Sequence, residues 1–135
     1  MYDPAMVKPM REELTNIGFE ELQTAEAVDQ AVSQGTVLVV VNSVCGCSAG
    51  GCRPAVANAI QHAKRPEKLT TVFAGVDKEA TDKARSYFVG YPPSSPSIGL
   101  LKDGKIVHMI ERLDIEGHSP EAIAKNLTDA FEKHC

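Results

Sequence analysis

The apolar residues of this chain follow two patterns, short β-branched runs and longer stretches at helical spacing. Residues 36–42 form a run without polar alternation, which is typical of a buried central strand. Pro54 opens a stretch at helical spacing, so we expect a helix there that Pro66 closes. The same reasoning predicts further helices over 10–17, between Thr24 and Gly35, over 79–89 and from Pro120 to Phe131, and further strands over 69–74, 97–101 and 105–111.

The order of these elements predicts how they assemble. After a leading helix that begins at Pro9, strands and helices alternate, with Asp77 as a cap for the helix over 79–89. Parallel strands need crossover helices on the faces of the sheet, whereas Asp103-Gly104 is preferred in tight hairpin turns and predicts two final antiparallel strands. We therefore predict an α/β fold with a mixed central sheet of about four strands and helices on both faces, an arrangement that resembles thioredoxin.

Length and composition limit the classes of protein that the chain can be. At 135 residues it fits a single domain, 1–135, and its 24% charged and 43% hydrophobic residues are ordinary for a globular protein. The net charge of −4 and the scattered basic residues argue against a nucleic-acid partner. The longest apolar run, 37–41, is too short to cross a bilayer, and residues 1–4 lack the features of a signal peptide. We expect a cytoplasmic protein without a membrane partner.

Closely spaced cysteines are the main chemical feature of the sequence. Cys45, Cys47 and Cys52 fall within eight residues, and Cys135 is the last residue. In a reducing compartment such clusters are seldom structural disulfides and are more often catalytic, redox-sensing or metal-binding. Cys45 follows the predicted central strand and precedes a helix, where backbone N–H groups and the helix dipole favour a thiolate. We therefore expect Cys45 to be a nucleophile, and Arg53 can add positive potential.

Cys47 is the first candidate to attack a mixed disulfide formed at Cys45 and to release the substrate thiol. A disulfide across the single residue Gly46 departs from relaxed geometry, so we expect a strained and easily reduced bond. Gly46 should help by adopting backbone angles that other residues rarely reach. This pattern predicts thiol-disulfide exchange with no metal and no bound cofactor.

Other interpretations fit part of the pattern. Cys45, Cys47 and Cys52, with or without Cys135, could ligate a metal or an iron–sulfur cluster, although structural zinc sites usually combine two sets of cysteines. A cysteine hydrolase would need a histidine beside its nucleophile, and none of the four histidines has a local signature. Cysteine can also pack simply as a small apolar residue. The cysteine-ligated metal site is the main alternative to disulfide exchange.

The residues around the cysteines resemble a known family. The segment 41–50 (VNSVCGCSAG) with Arg53-Pro54 after it is similar to the signature of the bacilliredoxins, a thioredoxin-like family. The resemblance covers nearly the whole chain, continuing through 71–75 (TVFAG), 77–81 (DKEAT), 93–97 (PSSPS), 115–117 (IEG) and 129–131 (DAF), with Cys135 at the end.

This resemblance implies an activity and its reactants. Bacilliredoxins remove bacillithiol, a low-molecular-weight thiol, from proteins that carry it as a mixed disulfide, and some resemble disulfide isomerases. By the same resemblance Cys45 takes bacillithiol onto itself, Cys47 or a second bacillithiol resolves the adduct, and a flavin-dependent bacillithiol-disulfide reductase completes the cycle. It also implies a cis peptide bond between Ser95 and Pro96 that turns the chain toward the site.

A few positions leave roles open. The chain departs from the family pattern at Gly51 and Cys52, where a larger apolar residue and an alanine are expected. Cys52 could therefore compete with Cys47, sense oxidation or be inert. Glu111 and Arg112, after the last predicted strand, could form a salt bridge or assist proton transfer near the thiols.

Overall fold

The sheet has five strands in both parallel and antiparallel pairs. The computed structural model describes residues 2–135. Its strands are β1 (Glu20–Glu21), β2 (Thr36–Asn42), β3 (Lys68–Phe73), β4 (Ser97–Lys102) and β5 (Lys105–Ile110), in the order β1-β3-β2-β4-β5. β1, β3 and β2 are parallel, whereas β4 runs antiparallel to β2, and β5 runs antiparallel to β4. The predicted mixed sheet is confirmed, but the expected count of about four strands missed β1, which is only two residues long.

Helices cover both faces of this sheet. They are α1 (Pro4–Thr15), α2 (Ala25–Val32), a π-helical turn (Ser48–Cys52) that continues into α3 (Arg53–Ala59), α4 (Lys78–Ser86), α5 (Arg112–Ile115) and α6 (Pro120–His134). α1, α3 and α6 contribute to the hydrophobic cluster on one face, and α2 and α4 contribute to the cluster on the other. Within residues 2–135, none of these helices is long and apolar enough to cross a membrane.

The central strand β2 separates the two hydrophobic clusters. Leu38 and Val40 belong to the cluster with α3 and α6, whereas Val37, Val39 and Val41 belong to the cluster with α2 and α4. This alternation follows the pleat of the strand. Every residue of β2 is buried, which explains why its sequence shows no polar alternation.

The first helix differs from its sequence prediction. α1 begins at Pro4 and not after Pro9, because the Asp3 carboxylate accepts a hydrogen bond of 2.8 Å from the Ala5 N–H and caps the helix. Pro9 lies inside α1, where it removes one backbone hydrogen bond. Burial of Leu14 against the core holds the helix in place despite that loss.

The fourth helix and the hairpin test two further predictions. α4 ends at Ser86 and not at 89. The Asp77 side chain makes no cap hydrogen bond, because it pairs with Arg11 at 2.8 Å instead. The predicted hairpin turn is confirmed: Asp103 and Gly104 have φ values of 50° and 80°, as a tight turn of this kind requires.

Three segments meet at the C-terminal end of β2. The chain leaves β2 at Asn42, and β4 starts beside that end because Val41 pairs with Ser97. The hairpin brings Ile110 opposite Ile98, so the residues after β5 reach the same edge. The cysteine turn, the proline loop before β4 and the start of α5 therefore come together here.

Candidate active site

The first two cysteines lie in the turn between β2 and the π-helical turn. The Ser48 and Ala49 N–H groups donate to the Cys45 carbonyl at 2.9 and 3.3 Å, which closes a first helical turn directly after Cys45. Both Cys45 and Cys47 are partly exposed, and their Sγ atoms are 2.7 Å apart. The cysteine nearer the strand thus stands at a helix start with a second thiol in direct contact.

The two thiols have different affinities for a proton. The S–H of Cys47 is the largest cause that lowers the pKa of Cys45, followed by the backbone N–H of Cys47, with smaller contributions from the charge of Arg112 and the N–H of Ser48. Burial raises the pKa of Cys47, and so does the neighbouring thiolate of Cys45. The arrangement therefore favours a thiolate at Cys45 and a protonated thiol at Cys47.

A buried polar network holds the turn that carries the thiols. Arg53 is 3% exposed, and its Nη1 donates to Asn42 Oδ1 and to the Ser43 carbonyl, each at 2.9 Å. Asn42 Oδ1 also accepts from the Ser43 N–H and the Ser48 hydroxyl, at 2.9 and 3.1 Å. Arg53 Nε lies 3.1 Å from Glu13 as an ion pair, although the angle is not that of a hydrogen bond. The network ties the end of β2 to the helix that follows it.

A cleft of about 390 Å³ lies beside Cys45. Arg85 and Arg112 line it together with Ser95, whose peptide bond to Pro96 is cis, as expected from the family resemblance. Arg112 Nη1 donates to the Ser95 carbonyl at 3.4 Å. The cleft therefore brings two guanidinium groups to the same opening as the thiol.

The whole chain is similar to known proteins. A family model described as disulphide isomerase matches residues 2–135. A bacilliredoxin of Koribacter versatilis is 58% identical over 137 aligned residues, which cover 100% of this chain and 94% of that protein. A bacilliredoxin of Bacillus cereus is 57% identical over 131 residues, which cover 96% and 91%. The chain belongs to the bacilliredoxin family.

Solved structures show the fold of this bacilliredoxin. A mutant thioredoxin from Halobacterium salinarum has a TM-score of 0.59 at 19% identity, covering 87% of this chain and 91% of that one. Mitochondrial thioredoxin 3 from Saccharomyces cerevisiae, in its oxidized form, has a TM-score of 0.57 at 20% identity, with 87% and 98% covered. The thioredoxin-like prediction is confirmed. Its bacilliredoxin relatives and thioredoxin-like fold make this chain a thiol-disulfide oxidoreductase.

Two predicted supporting residues act differently from their sequence-based interpretation. Gly46 does not adopt a positive φ, and a Cβ there would meet no atom within 4 Å. The expectation of unusual backbone angles was wrong, because Gly46 already lies in helical backbone. Arg53 holds the turn through Asn42 and Ser43, and the positive charge that lowers the pKa of Cys45 belongs to Arg112.

The other two cysteines lie away from the thiol pair. Cys52 is fully buried in the core cluster with α6, and desolvation raises its pKa to about 12. Next to it, Ile115 and Ile123 occupy the space that a larger side chain at position 51 would need. Cys135 lies near Thr36, at the opposite end of β2 from the site, and seven residues of strand span about 20 Å. Cys135 is therefore out of reach of Cys45 within one molecule.

The cysteines do not assemble the ligand set of the metal alternative. Across residues 2–135, no three side chains of His, Cys, Asp or Glu are grouped to hold a metal ion. Cys52, the proposed third ligand, is a core residue with a pKa far above neutrality. The metal interpretation therefore has no support in the geometry.

Sequence reasoning assigned no site role to Asn42 and Arg85 and left Arg112 undecided. Asn42 had a usable signal, because an amide at the end of an otherwise apolar strand must find buried hydrogen-bond partners. Arg112 pairs with Glu116 at 3.1 Å and not with Glu111. Arg85 comes from the last turn of α4. Only the tertiary fold brings these two arginines to the thiols.

The pH dependence of alkylation tests whether Cys45 ionises at lower pH than the other cysteines. Iodoacetamide should modify Cys45 at pH values where an ordinary thiol is protonated, because its pKa is lowered. Peptide mapping by mass spectrometry across a pH series gives the midpoint for each cysteine, with buried Cys52 as the unreactive reference. In Cys47→Ala the Cys45 midpoint should move to higher pH, whereas Cys47→Ser retains a hydroxyl donor and should shift it less. A Cys45 midpoint at or above that of Cys135 would contradict the assignment.

Proposed function

We propose that this chain removes bacillithiol from proteins that carry it as a mixed disulfide, with Cys45 as the nucleophile. The main support is the ionisation of one partly exposed pair, in which the pKa of Cys45 is lowered and that of Cys47 is raised while their sulfurs lie 2.7 Å apart. Reduction of a mixed disulfide needs one thiolate that attacks and one thiol that acts later. The bacilliredoxin relatives support bacillithiol as the thiol that is removed.

The first step is an exchange without net redox change. Cys45 Sγ attacks the bacillithiol sulfur of the mixed disulfide and forms a new S–S bond as the old one breaks. The protein cysteine leaves as a thiolate with the bonding electron pair and takes a proton from solvent. The cleft beside Cys45 gives the attacked sulfur room to approach.

The second step uses a change in the pKa of Cys47. Formation of the adduct removes the charge of Cys45, and with it two of the causes that raise the pKa of Cys47. Cys47 then loses its proton more readily, favoured by the charge of Arg112. Its attack on Cys45 Sγ forms the internal disulfide and releases bacillithiol as a thiolate. Cys47 thus remains protonated until the adduct has formed.

The cycle needs an external reductant. A second bacillithiol can attack the bacillithiol sulfur of the adduct and free the Cys45 thiolate, or two bacillithiol molecules can reduce the internal disulfide in turn; either route forms bacillithiol disulfide. A flavin-dependent bacillithiol-disulfide reductase then supplies the two electrons that return this disulfide to thiols. The cytoplasm is the compartment in which such a reducing cycle is maintained.

The description of the matched family favours a second candidate, isomerisation of protein disulfides. It begins with the same attack by Cys45, but the adduct then joins Cys45 to the protein and a second protein thiol resolves it. Isomerisation therefore does not require Cys47. Release of bacillithiol from the Cys45 adduct without added thiol does require it, so the two activities separate in the Cys47→Ser variant.

Trapping the adduct tests the proposal. Cys47→Ser should be incubated with a reporter protein that carries bacillithiol on a single cysteine, with no free thiol added. We expect the mass of one bacillithiol on Cys45 and release of the reporter thiol, measured by mass spectrometry of the intact variant and its peptides. Cys45→Ser should gain no adduct, and Cys47→Ser with Cys52→Ala should behave like Cys47→Ser alone. A covalent complex of Cys45 with the reporter itself would overturn the proposal and favour the isomerase.

A further inference from the structure

The cleft beside Cys45 is positively charged in a chain whose net charge is −4. Two of its lining residues are arginines, Arg85 and Arg112, and none of the residues that line it is acidic. The remaining lining residues are small, apolar or hydroxyl-bearing. A site of this composition attracts an anion more strongly than a neutral or cationic group.

Arg85 has hydrogen-bonding capacity that the protein does not use. Its Nη2 donates to the Ser94 carbonyl at 3.2 Å, which fixes one end of the guanidinium. Its Nε has no hydrogen-bond partner among residues 2–135 but is itself buried, so Arg85 lines the cleft through other atoms of its side chain. Because a guanidinium presents its N–H groups as a planar fork, an anchored Arg85 can donate to a carboxylate in the cleft with little further ordering.

Arg112 lines the same cleft. Its Nη1 donates to the Ser95 carbonyl at 3.4 Å, and its Nη2 contacts Glu116 at 3.1 Å. Its side chain is 45% exposed, so the pair with Glu116 is a weak surface pair that an entering anion can rearrange. The charge of Arg112 also reaches the thiol pair, because it lowers the pKa of Cys45.

We infer that Arg85 and Arg112 form a carboxylate-binding subsite that selects low-molecular-weight thiols carrying an anionic group and seats that group beside Cys45. This deepens the function proposed above and rests on it for the identity of the reaction. The specificity resides in the charge of the small thiol, not in the sequence of the protein that carries it.

The subsite also decides which sulfur is attacked. With its carboxylate held in the cleft, the small thiol presents its own sulfur to Cys45, and the protein sulfur points outward as the leaving group. The new bond joins Cys45 to the small thiol, and the electron pair of the broken S–S bond leaves with the protein thiolate. Proteins of any sequence can then be substrates as long as their disulfide is accessible.

Alkylation with a charged and a neutral reagent tests the subsite independently of turnover. Iodoacetate and iodoacetamide both form a thioether and release iodide, so the ratio of their rates at Cys45 cancels changes in thiolate fraction. We expect the ratio of the iodoacetate rate to the iodoacetamide rate to be about tenfold higher at Cys45 of the wild type than at a free cysteine peptide. This corresponds to a preference of about 1.4 kcal/mol for the anionic reagent. High salt should reduce it, because screening weakens the attraction.

Variants assign this preference to the two arginines. Arg85→Gln with Arg112→Gln should return the ratio to that of the free peptide, whereas the two lysine replacements should retain part of the preference. Arg65→Gln is the matched control, because Arg65 is an exposed arginine that also donates to a carbonyl but lines a different groove. Thermal unfolding of each variant checks that the fold is retained.

A series of mixed disulfides extends the test to the reaction. A reporter peptide is coupled to 3-mercaptopropionate, 2-mercaptoethanol or cysteamine, which carry an anionic, a neutral and a cationic group. We expect kcat/KM to fall in that order for the wild type and to become nearly equal in the double glutamine variant. A wild type without charge preference in alkylation, or a preference that survives in the double variant, overturns the subsite. Absence of turnover on all three peptides with the alkylation preference intact overturns the proposed function instead.

Discussion

In the Cys45→Ser variant, turnover of a bacillithiol mixed disulfide should fall to the uncatalysed background, a loss of about a thousandfold or more. A serine hydroxyl is not ionised by the groups that ionise the thiol, and an oxygen nucleophile cannot form the required disulfide. Cys47 cannot take over, because burial is the largest cause that raises its pKa and burial persists without Cys45. The measurement is the initial rate of reporter thiol release at several enzyme concentrations.

Two matched variants make this result specific to one sulfur. Cys52→Ala removes the third cysteine of the cluster. It should leave the rate near that of the wild type, since Cys52 is fully buried in the core. Without free bacillithiol, Cys47→Ser should release at most one reporter thiol per enzyme and stop as the Cys45 adduct, whereas added bacillithiol should restore turnover, because a second thiol then resolves the adduct. Retention of substantial turnover by Cys45→Ser would show that another cysteine carries the first attack.

The fold could be predicted from sequence where the physical signal is local. The apolar run of β2 and the turn at Asp103-Gly104 each specify their own conformation, so the central strand and the final hairpin were predicted correctly. β1 has only two residues, and it exists because Glu20 and Glu21 fall into register with β3. Nothing within a segment that short distinguishes it from a loop. Similarly, Pro9 suggested a helix start although the effective cap, Asp3, lies earlier.

The same contrast between local and long-range signals applies to the site. Placing Cys45 between a buried strand and a helix needs only neighbouring residues, and it leads directly to the expectation of a thiolate. Arg85 and Arg112 reach the cleft because α4 ends beside the proline loop and the β4–β5 hairpin returns the chain to that edge. Their contribution depends on long-range register, which composition and spacing do not contain. Sequence therefore indicated the nucleophile, and the fold was needed to find the charges around it.

The largest loss of stability is expected for Asn42→Ala, with a fall in the free energy of unfolding of about 3 kcal/mol. Asn42 Oδ1 accepts hydrogen bonds from the Arg53 guanidinium and the Ser48 hydroxyl, and its Nδ2 donates to the Met10 carbonyl at 3.1 Å. Alanine leaves the charge of Arg53, which is 3% exposed, without one of its two acceptors at 2.9 Å. Urea unfolding of the reduced protein, analysed with a common m value, gives the difference.

Asn58→Ala is the matched control for this change. Asn58 is an exposed asparagine on α3, so its replacement should alter the free energy of unfolding by no more than about 0.5 kcal/mol. The same network positions the Ser43 hydroxyl that accepts from the Cys45 N–H at 3.2 Å, so Asn42→Ala should also shift the midpoint of Cys45 alkylation to higher pH. Equal stability of the two variants would mean that solvent replaces Asn42 as the acceptor for Arg53, and that the network does not hold the thiol-bearing turn in place.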